Sequence, residues 1–271
     1  MLLSETQSPE ELRAHVRATY AGIVTSTGAK GCGCGCGTTE VVSFVGDSYE
    51  DVAGYEPVAD LKLGCGVPTH LADIRPGDTV LDLGSGAGID AFIARSIVGD
   101  EGTVVGVDMT PEMVARARAN AEKLGYRNVR FLLGEIEALP VKDASVDVVI
   151  SNCVLNLVPD KAEAFAEMYR VTRPGGHFCV SDIVVRGTLP ASIRQSAEAY
   201  AGCVAGAQEM DVYLDLLRAQ GFVDVTVLEE RPIAVPDDLL RSAPRADVEA
   251  FHAGGGSIVS ITVTGKRTIT D

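Results

Sequence analysis

From about residue 79 onward, short runs of β-branched and apolar residues alternate with longer amphipathic stretches. TVLDLGSG (79–86) predicts a buried strand that ends in a glycine turn, and IDAFIARSIV (89–98) predicts the helix after it. TVVGVD (103–108) predicts a second strand. The spacing then favours a helix that has Thr110 as its N-cap, Pro111 as its first residue and Gly125 at its end.

The same alternation continues toward the end of the chain. After the second helix we expect the following elements, in order: strands at 128–135 and 146–154, a helix over about 160–172, a turn at RPGG (173–176), and strands at 177–185, 223–230 and 257–267. Strands that alternate with helices are typical of parallel crossover units. We therefore predict an α/β fold with a doubly wound, mostly parallel seven-stranded sheet.

Three segments depart from this alternation. Residues 187–220 read as helices outside it, which predicts a helical insertion over the sheet edge, and 232–250 contain three prolines, which favours a loop with one helical turn. Residues 1–60 begin with a weak helical pattern and continue into GAKGCGCGCGTT, whose glycine content opposes any regular element and favours a mobile loop. We expect an N-terminal appendage over 1–60 and one α/β domain over 61–271, with the insertion capping its substrate site.

Composition narrows the function classes. The chain has 271 residues and a formal net charge of −15, which disfavours nucleic acid and anionic membranes as partners. We find no pattern of a secretory signal and no apolar run that would span a bilayer. Seven cysteines in such a chain predict a reduced, cytoplasmic protein whose thiols bind metals or take part in chemistry. The oligomeric state is not readable, and a monomer is compatible with the sequence.

The turn DLGSGAG (82–88) places small residues where the first strand enters the first helix. Glycine there lets a ligand approach the backbone and the N–H groups of the helix N-terminus. Asp108 ends the next strand about twenty residues on, where a carboxylate can bind ribose hydroxyls, and Met109 is placed to pack on a base. A structural tight turn and a capping carboxylate are the alternative interpretations of these residues.

Five motifs in this order and spacing carry a resemblance: VLDLGSGAGID, VDMTPEM, GEIEALPV, SNCVLNL and RPGGHFCVSDI. Together they resemble class I S-adenosylmethionine-dependent methyltransferases, which have a Rossmann-like fold. LGCGVP, SNCVLNLVPDK and AGCVAGA resemble one branch of that superfamily, the arsenite methyltransferases. The resemblance is strongest from Tyr55 to Gly206.

The resemblance implies a set of cofactor contacts. Asp82, Gly84, Ser85 and Gly86 would line the methionine end of S-adenosylmethionine, which leaves the reaction as S-adenosylhomocysteine. Asp108 would hold the ribose, and the adenine would lie against Met109, Ile136 and Glu137, with Glu135 as an equally available carboxylate. Asn152 would lie near the sulfonium.

The resemblance also assigns the thiols. Cys65, Cys153 and Cys203 would bind As(III), for which thiolate is the selective ligand, and would leave its lone pair free to accept a methyl group. Aligning the reactants would be worth roughly 7–11 kcal/mol of the barrier. Cys179, inside an apolar strand, is interpreted as an inert core residue.

GCGCGCG (31–37) is a second group of thiols. In an extended chain Cys32, Cys34 and Cys36 share a face and can hold a soft ion jointly. The family has an adjacent cysteine pair near this position that relays arsenic inward or forms disulfides, so a relay role here remains open beside that of a passive tail. Regenerating reduced thiols implies thioredoxin or glutathione as a reductant.

Two alternatives stay open beside arsenite methylation. The first is a methyltransferase for an organic small molecule, such as a quinone precursor, in which the cysteines are structural. The second is a non-catalytic thiol protein that binds metals or metalloids.

Overall fold

The computed structural model describes residues 8–26, 49–194, 204, 206–233 and 244–269. Its seven strands are β1 (Thr79–Leu83), β2 (Thr103–Asp108), β3 (Val129–Leu133), β4 (Val146–Asn152), β5 (Thr172–Arg186), β6 (Phe222–Pro232) and β7 (Ser257–Arg267). They form one sheet in the order β3-β2-β1-β4-β5-β7-β6. Strands β1 to β5 pair in parallel and β7 runs antiparallel between β5 and β6. The predicted doubly wound, mostly parallel sheet is confirmed.

The described helices are α1 (Pro9–Ser26), α2 (Pro68–Leu71), α3 (Ile89–Val98), α4 (Pro111–Leu124), α5 (Lys161–Val171), α6 (Ala191–Arg194), α7 (Met210–Ala219) and α8 (Arg245–Ala253). A 3-10 turn spans Leu155–Leu157. Helix α1 begins with a capping box, since Ser8 and Glu11 each bind the backbone N–H of the other. Helix α4 has the predicted limits, with Pro111 in its first turn and Gly125 in the left-handed conformation at its end.

Apolar side chains cover both faces of the sheet. One core cluster includes Phe165, Met168 and Tyr213 from α5 and α7, and another includes Phe92 and Ala117 from α3 and α4. Burial on both faces explains why β1, β2 and β4 read as nearly continuous apolar runs. Among the described residues, no helix is both long enough and apolar enough to cross a membrane.

Two local predictions were wrong. RPGG (173–176) does not form a separate turn, because it lies inside β5 as an irregularity between the pairs Val146–Thr172 and Val148–His177. Residues 232–250 were expected to hold one helical turn, yet α8 runs over nine residues. Its first residue follows Pro244, and the side chain of Phe251 anchors it in the core.

The remaining expectations about organisation concern the helices outside the sheet and the glycine-rich segment. Helix α1 agrees with the predicted N-terminal helix, and α6 and α7 agree with helices in 187–220. The expected mobile loop around GCGCGCG lies outside the described residues, as does the stretch 195–203. The boundaries 1–60 and 61–271 stay a prediction.

Candidate functional site

The order of the sheet reverses between β1 and β4, and in open α/β sheets ligands bind at the carboxyl ends of the strands beside such a point. A cavity opens there. Its lining includes nine of the residues expected to contact a cofactor, namely Asp82, Gly84, Ser85, Gly86, Asp108, Met109, Ile136, Glu137 and Asn152. The structure therefore brings together residues from four separate strand ends.

The glycine turn after β1 has a backbone that few other residues could adopt. Gly84 has φ +66° and Gly86 φ +52°. A Cβ at Gly84 would lie 2.4 Å from Cγ2 of Val154, so the turn passes directly under the segment that follows β4. The close approach and the positive φ together account for glycine at this position.

Two acidic side chains face the cavity from the ends of this turn. Asp82 and Asp90 are both buried. Burial, with the nearby charges of Asp90 and Asp108, raises the pKa of Asp82 well above its usual range. Burial also raises the pKa of Asp90 to about 6, although hydrogen bonds from Asn152 and Tyr49 oppose this shift. Uncompensated carboxylates in a cavity favour a cationic ligand.

Asp108 orders the next part of the cavity. Its Oδ2 accepts a hydrogen bond from Gly86 N at 2.9 Å, and its Oδ1 accepts one from Thr110 N at 2.8 Å. The carboxylate thus joins the glycine turn to the start of α4. Burial raises its pKa, and both backbone donors lower it. Each oxygen keeps a second lone pair with which a ligand hydroxyl can bond.

Helix α1 covers one side of the cavity with Arg13, Val16 and Tyr20. Arg13 Nη2 lies 3.1 Å from Oε1 of Glu137, whose side chain is only 7% exposed. The guanidinium Nε lies 3.4 Å from Glu135 Oε2. Of the two carboxylates weighed for the adenine, Glu137 lines the cavity and Glu135 points to the ion pairs at its rim.

Asn152 lies at the end of β4 and connects the cavity to the segment that carries Cys65. Its Oδ1 accepts a hydrogen bond from Cys65 N at 2.9 Å. Its Nδ2 donates to Gly66 O at 2.7 Å and to Asp90 Oδ2 at 3.1 Å. Tyr49 OH donates to Gly66 O, and lies 3.1 Å from Asp90 Oδ2. One amide therefore holds both the acidic group and the thiol-bearing loop.

Cys65 and Cys153 are joined by a disulfide, with Cα atoms 5.6 Å apart. Cys153 lines the cavity, so the pair lies at its edge. Both residues are buried. Cys153 follows β4 with φ +58°, and its N–H donates to Ser181 O at 2.8 Å.

Of the other five cysteines, the described part of the chain includes one. Cys179 is a free, buried thiol in the core, and burial raises its pKa to about 12, as expected of an inert residue. Cys203 lies outside the described residues, as do Cys32, Cys34 and Cys36. Their roles stay predictions.

Sequence reasoning missed Tyr49, Asp90 and Arg13. Asp90 follows directly on the glycine motif in GSGAGID, so an acidic residue at the start of α3 was a usable signal. Tyr49 and Arg13 carry no such signal, because their partners lie 41 and 124 residues away in the chain.

The cavity fits the S-adenosylmethionine that the resemblance implies. Among the described residues, no donor reaches Asp82 Oδ2, Asp90 Oδ1 or Ser85 Oγ, although all three atoms are buried. Buried polar atoms of this kind are normally paired, so they indicate a ligand with hydrogen-bond donors and positive charge. An ammonium beside a sulfonium meets that description.

Comparison with known proteins identifies relatives. Residues 74–228 match the family model described as a methyltransferase domain. The chain is 43% identical to arsenite methyltransferase from Halobacterium salinarum, over 98% of this chain and 69% of that protein. It is 42% identical to arsenite methyltransferase from Aquipseudomonas alcaligenes over 65% of this chain, and spans about half (53%) of that relative.

A solved structure is similar to this chain as well. The arsenic(III) S-adenosylmethionine methyltransferase from Chlamydomonas reinhardtii superposes with a TM-score of 0.65 at 39% identity, covering 76% of this chain and 68% of that one.

Proposed function

Because this chain belongs to the arsenite methyltransferase family of class I methyltransferases, we propose that it methylates trivalent arsenic held by Cys65, Cys153 and Cys203. The substrate class covers arsenite and methylated arsenicals. One observation carries the proposal. A disulfide-bonded pair of cysteines lies at the edge of a cavity built from the residues that would hold the methyl donor.

The donor set selects the substrate. Thiolates are soft ligands that prefer As(III) to ions that favour oxygen. Cys65 and Cys153 come from different parts of the chain, 88 residues apart, and the fold places them in bonding distance. Once reduced, they supply two of the three sulfur ligands of a pyramidal As(III), and Cys203 is proposed as the third.

The cofactor would be held by the residues around the glycine turn. S-adenosylmethionine supplies a methyl group on a positively charged sulfur, for which the lone pair of thiol-bound As(III) is the nucleophile. Asp82 and Asp90 would bind the cationic groups, and Asp108 the ribose hydroxyls. The adenine would lie against Met109, Ile136 and Glu137. None of these residues needs to transfer a proton, and their contribution is orientation and exclusion of water.

Formation of the disulfide supplies the electrons that the reaction requires. Methyl addition to the lone pair raises arsenic from the trivalent to the pentavalent state. Return to the trivalent state takes two electrons, which two thiols release when they form a disulfide. A dithiol such as thioredoxin, or glutathione, then reduces Cys65–Cys153 by thiol–disulfide exchange. We propose that the enzyme works in a reducing compartment such as the cytoplasm, and that Cys32, Cys34 and Cys36 relay arsenic or take part in this exchange.

The test uses labelled S-adenosylmethionine with arsenite and a thiol reductant. We expect methylated arsenicals from the wild-type chain and a loss of at least a hundredfold in rate for Cys65→Ser and for Cys153→Ser. Cys179→Ala is the matched control, because it also removes a buried thiol but lies outside the cavity. Binding of S-adenosylhomocysteine checks that each variant is folded.

Wild-type rates of arsenite methylation in both cysteine variants would overturn the proposal. Label transferred only to an organic acceptor from a metabolite extract would favour the organic-substrate alternative. Arsenite binding without any affinity for S-adenosylmethionine would favour the non-catalytic one.

A further inference from the structure

A carboxylate lies near the thiol pair. Asp182, on β5, is fully buried, and its carboxylate oxygen lies within 4.8 Å of the sulfur atoms of Cys65 and Cys153. The proposed methyl transfer does not use this carboxylate. These three residues are called the S2O cluster below.

We propose that, once the disulfide is reduced, the S2O cluster binds a divalent cation of the zinc class. Zn²⁺ takes thiolate and carboxylate ligands in tetrahedral sites, and a site with three protein ligands keeps its fourth position for water. Mg²⁺ and Ca²⁺ prefer six or more oxygen ligands, which two sulfurs and one carboxylate do not provide.

Hydrogen bonds from neighbouring groups hold the ligand residues in place, as is usual at a metal site. Asp182 Oδ2 accepts a hydrogen bond from Tyr213 OH at 3.2 Å, and Oδ1 accepts one from Ile183 N at 2.9 Å. The Cys65 backbone is fixed on both sides, because its N–H binds Asn152 and its carbonyl accepts a bond from Ser260 Oγ at 2.7 Å.

Charge also favours a cation. Lys161, itself buried, places a positive charge near the Asp182 carboxylate. Two thiolates, one carboxylate, a divalent cation and the Lys161 ammonium together carry no net charge. In the oxidised state, which binds no metal, the charges of Asp182 and Lys161 balance each other.

A phosphine and water reduce the disulfide to two thiols and give the phosphine oxide. Binding of the cation then releases both thiol protons to solvent. Since the proposed function gives the same two thiols to arsenic, we infer that Zn²⁺ and As(III) exclude each other, and this part of the inference rests on the proposed function.

The experiment uses the full chain with Cys32, Cys34 and Cys36 replaced by serine, so that these thiols do not bind metal. The reduced protein is titrated with Co²⁺, and the cobalt is then displaced with Zn²⁺. We expect one cobalt per chain, with the absorption of a tetrahedral thiolate complex. Cys65→Ser, Cys153→Ser and Asp182→Asn should each weaken binding by about tenfold or more.

Asp147→Asn is the matched control for Asp182→Asn. Asp147 lies on β4, accepts a hydrogen bond from Thr79 N at 2.7 Å and pairs with Arg173, away from the cluster. We expect it to leave cobalt affinity unchanged.

X-ray absorption on the zinc-loaded protein decides the question where Asp182→Asn does not fold. Two sulfurs at about 2.3 Å and lighter ligands at about 2.0–2.2 Å support the S2O cluster. Three sulfurs, together with loss of binding in Cys203→Ser, would overturn it in favour of a thiol-only site. No saturable binding would overturn it as well.

A comparison of zinc binding with arsenite methylation completes the test. Zinc binding without arsenite methylation would mean that the proposed function fails while the metal site stands. Methylation without zinc binding would mean the reverse.

Discussion

The side chain of Asn152 holds the backbone of Cys65 through a hydrogen bond of 2.9 Å between Oδ1 and N. The same side chain donates to Asp90 Oδ2 in the cavity. One amide therefore sets the position of a cofactor-side carboxylate and of a substrate-side thiol. We expect changes at Asn152 to affect both.

Asn152→Ala should weaken S-adenosylhomocysteine binding and slow arsenite methylation, each by about tenfold or more. It leaves the buried Asp90 carboxylate with one donor fewer and frees Cys65 N, and an unsatisfied buried group costs roughly 1–3 kcal/mol. Calorimetric titration and initial rates measure the two effects. Tyr49→Phe removes a hydroxyl that hydrogen-bonds Asp90, Gly66 and Asn152 Nδ2 but leaves the bond from Asn152 to Cys65 N in place, so it should affect binding more than rate. If both variants lost rate by the same factor and neither lost affinity for S-adenosylhomocysteine, this coupling would be wrong.

Gly84→Ala should abolish cofactor binding, whereas Gly86→Ala should weaken it only moderately. Both positions have positive φ, which costs an alanine roughly 1 kcal/mol or more. The added Cβ at Gly84 collides with Val154, but at Gly86 its nearest neighbour is Met113 Sδ at 4.0 Å. Binding titrations and thermal unfolding of the two variants measure the difference, and an indistinguishable pair would contradict the steric account.

Asp90 should make the folded state less stable as the pH rises. Its folded pKa of about 6 lies above the ordinary value of 3.8, so the folded chain holds this proton more tightly than the unfolded chain does. Its stabilising contribution is present below pH 4 and is lost between pH 4 and 6, which amounts to roughly 2–3 kcal/mol. Urea unfolding of wild type and Asp90→Asn from pH 4 to 7 measures it. The variant should gain stability relative to wild type across that range, and a constant difference would refute the assignment.

The disulfide should stabilise the oxidised chain. Closing a loop of 88 residues is worth roughly 4–5 kcal/mol in the chain-entropy account. A phosphine reductant should therefore lower the unfolding free energy of the wild type and leave that of Cys65→Ser unchanged. Cys179→Ala, which keeps the disulfide, should respond to the reductant as the wild type does. A reductant effect that persists in Cys65→Ser would point to other cysteines.

Arg13→Gln should loosen helix α1. The change leaves the buried carboxylate of Glu137 without its guanidinium partner, which costs more than the loss of an exposed pair. Hydrogen exchange of Pro9–Ser26 should speed up, and affinity for S-adenosylhomocysteine should fall. Arg75→Gln removes a pair whose two side chains are 72% and 71% exposed, and it should change neither quantity.

The sequence predicted the strands well where apolar runs are bounded by glycine, and it predicted α4 because Pro111 and Gly125 fix its ends. It did not predict the full length of α8, since the prolines around 232–244 suggested a loop and the helix is supported by the packing of Phe251 and Val248 against the core. Periodicity reports local preference, and tertiary contacts of this kind lie beyond it.

The site divides in the same way. The glycine turn and Asp108 are local motifs that could be located from the sequence, and the thiols could be identified through family resemblance. The proximity of Asp182 to the thiol pair could not, because Asp182 reads as a polar residue in a mostly apolar part of β5. Only the pairing of β4 with β5 places it beside Cys153.

The backbone of Cys153 has a consequence for substitutions at this position. With φ +58°, a non-glycine residue there costs roughly 1–2 kcal/mol, which glycine would avoid. In the reduced chain, where no disulfide offsets this cost, selection for an unstrained backbone would favour glycine, and a requirement for the thiol opposes that drift. Cys153 is then a position at which a less strained protein and a working one are different proteins.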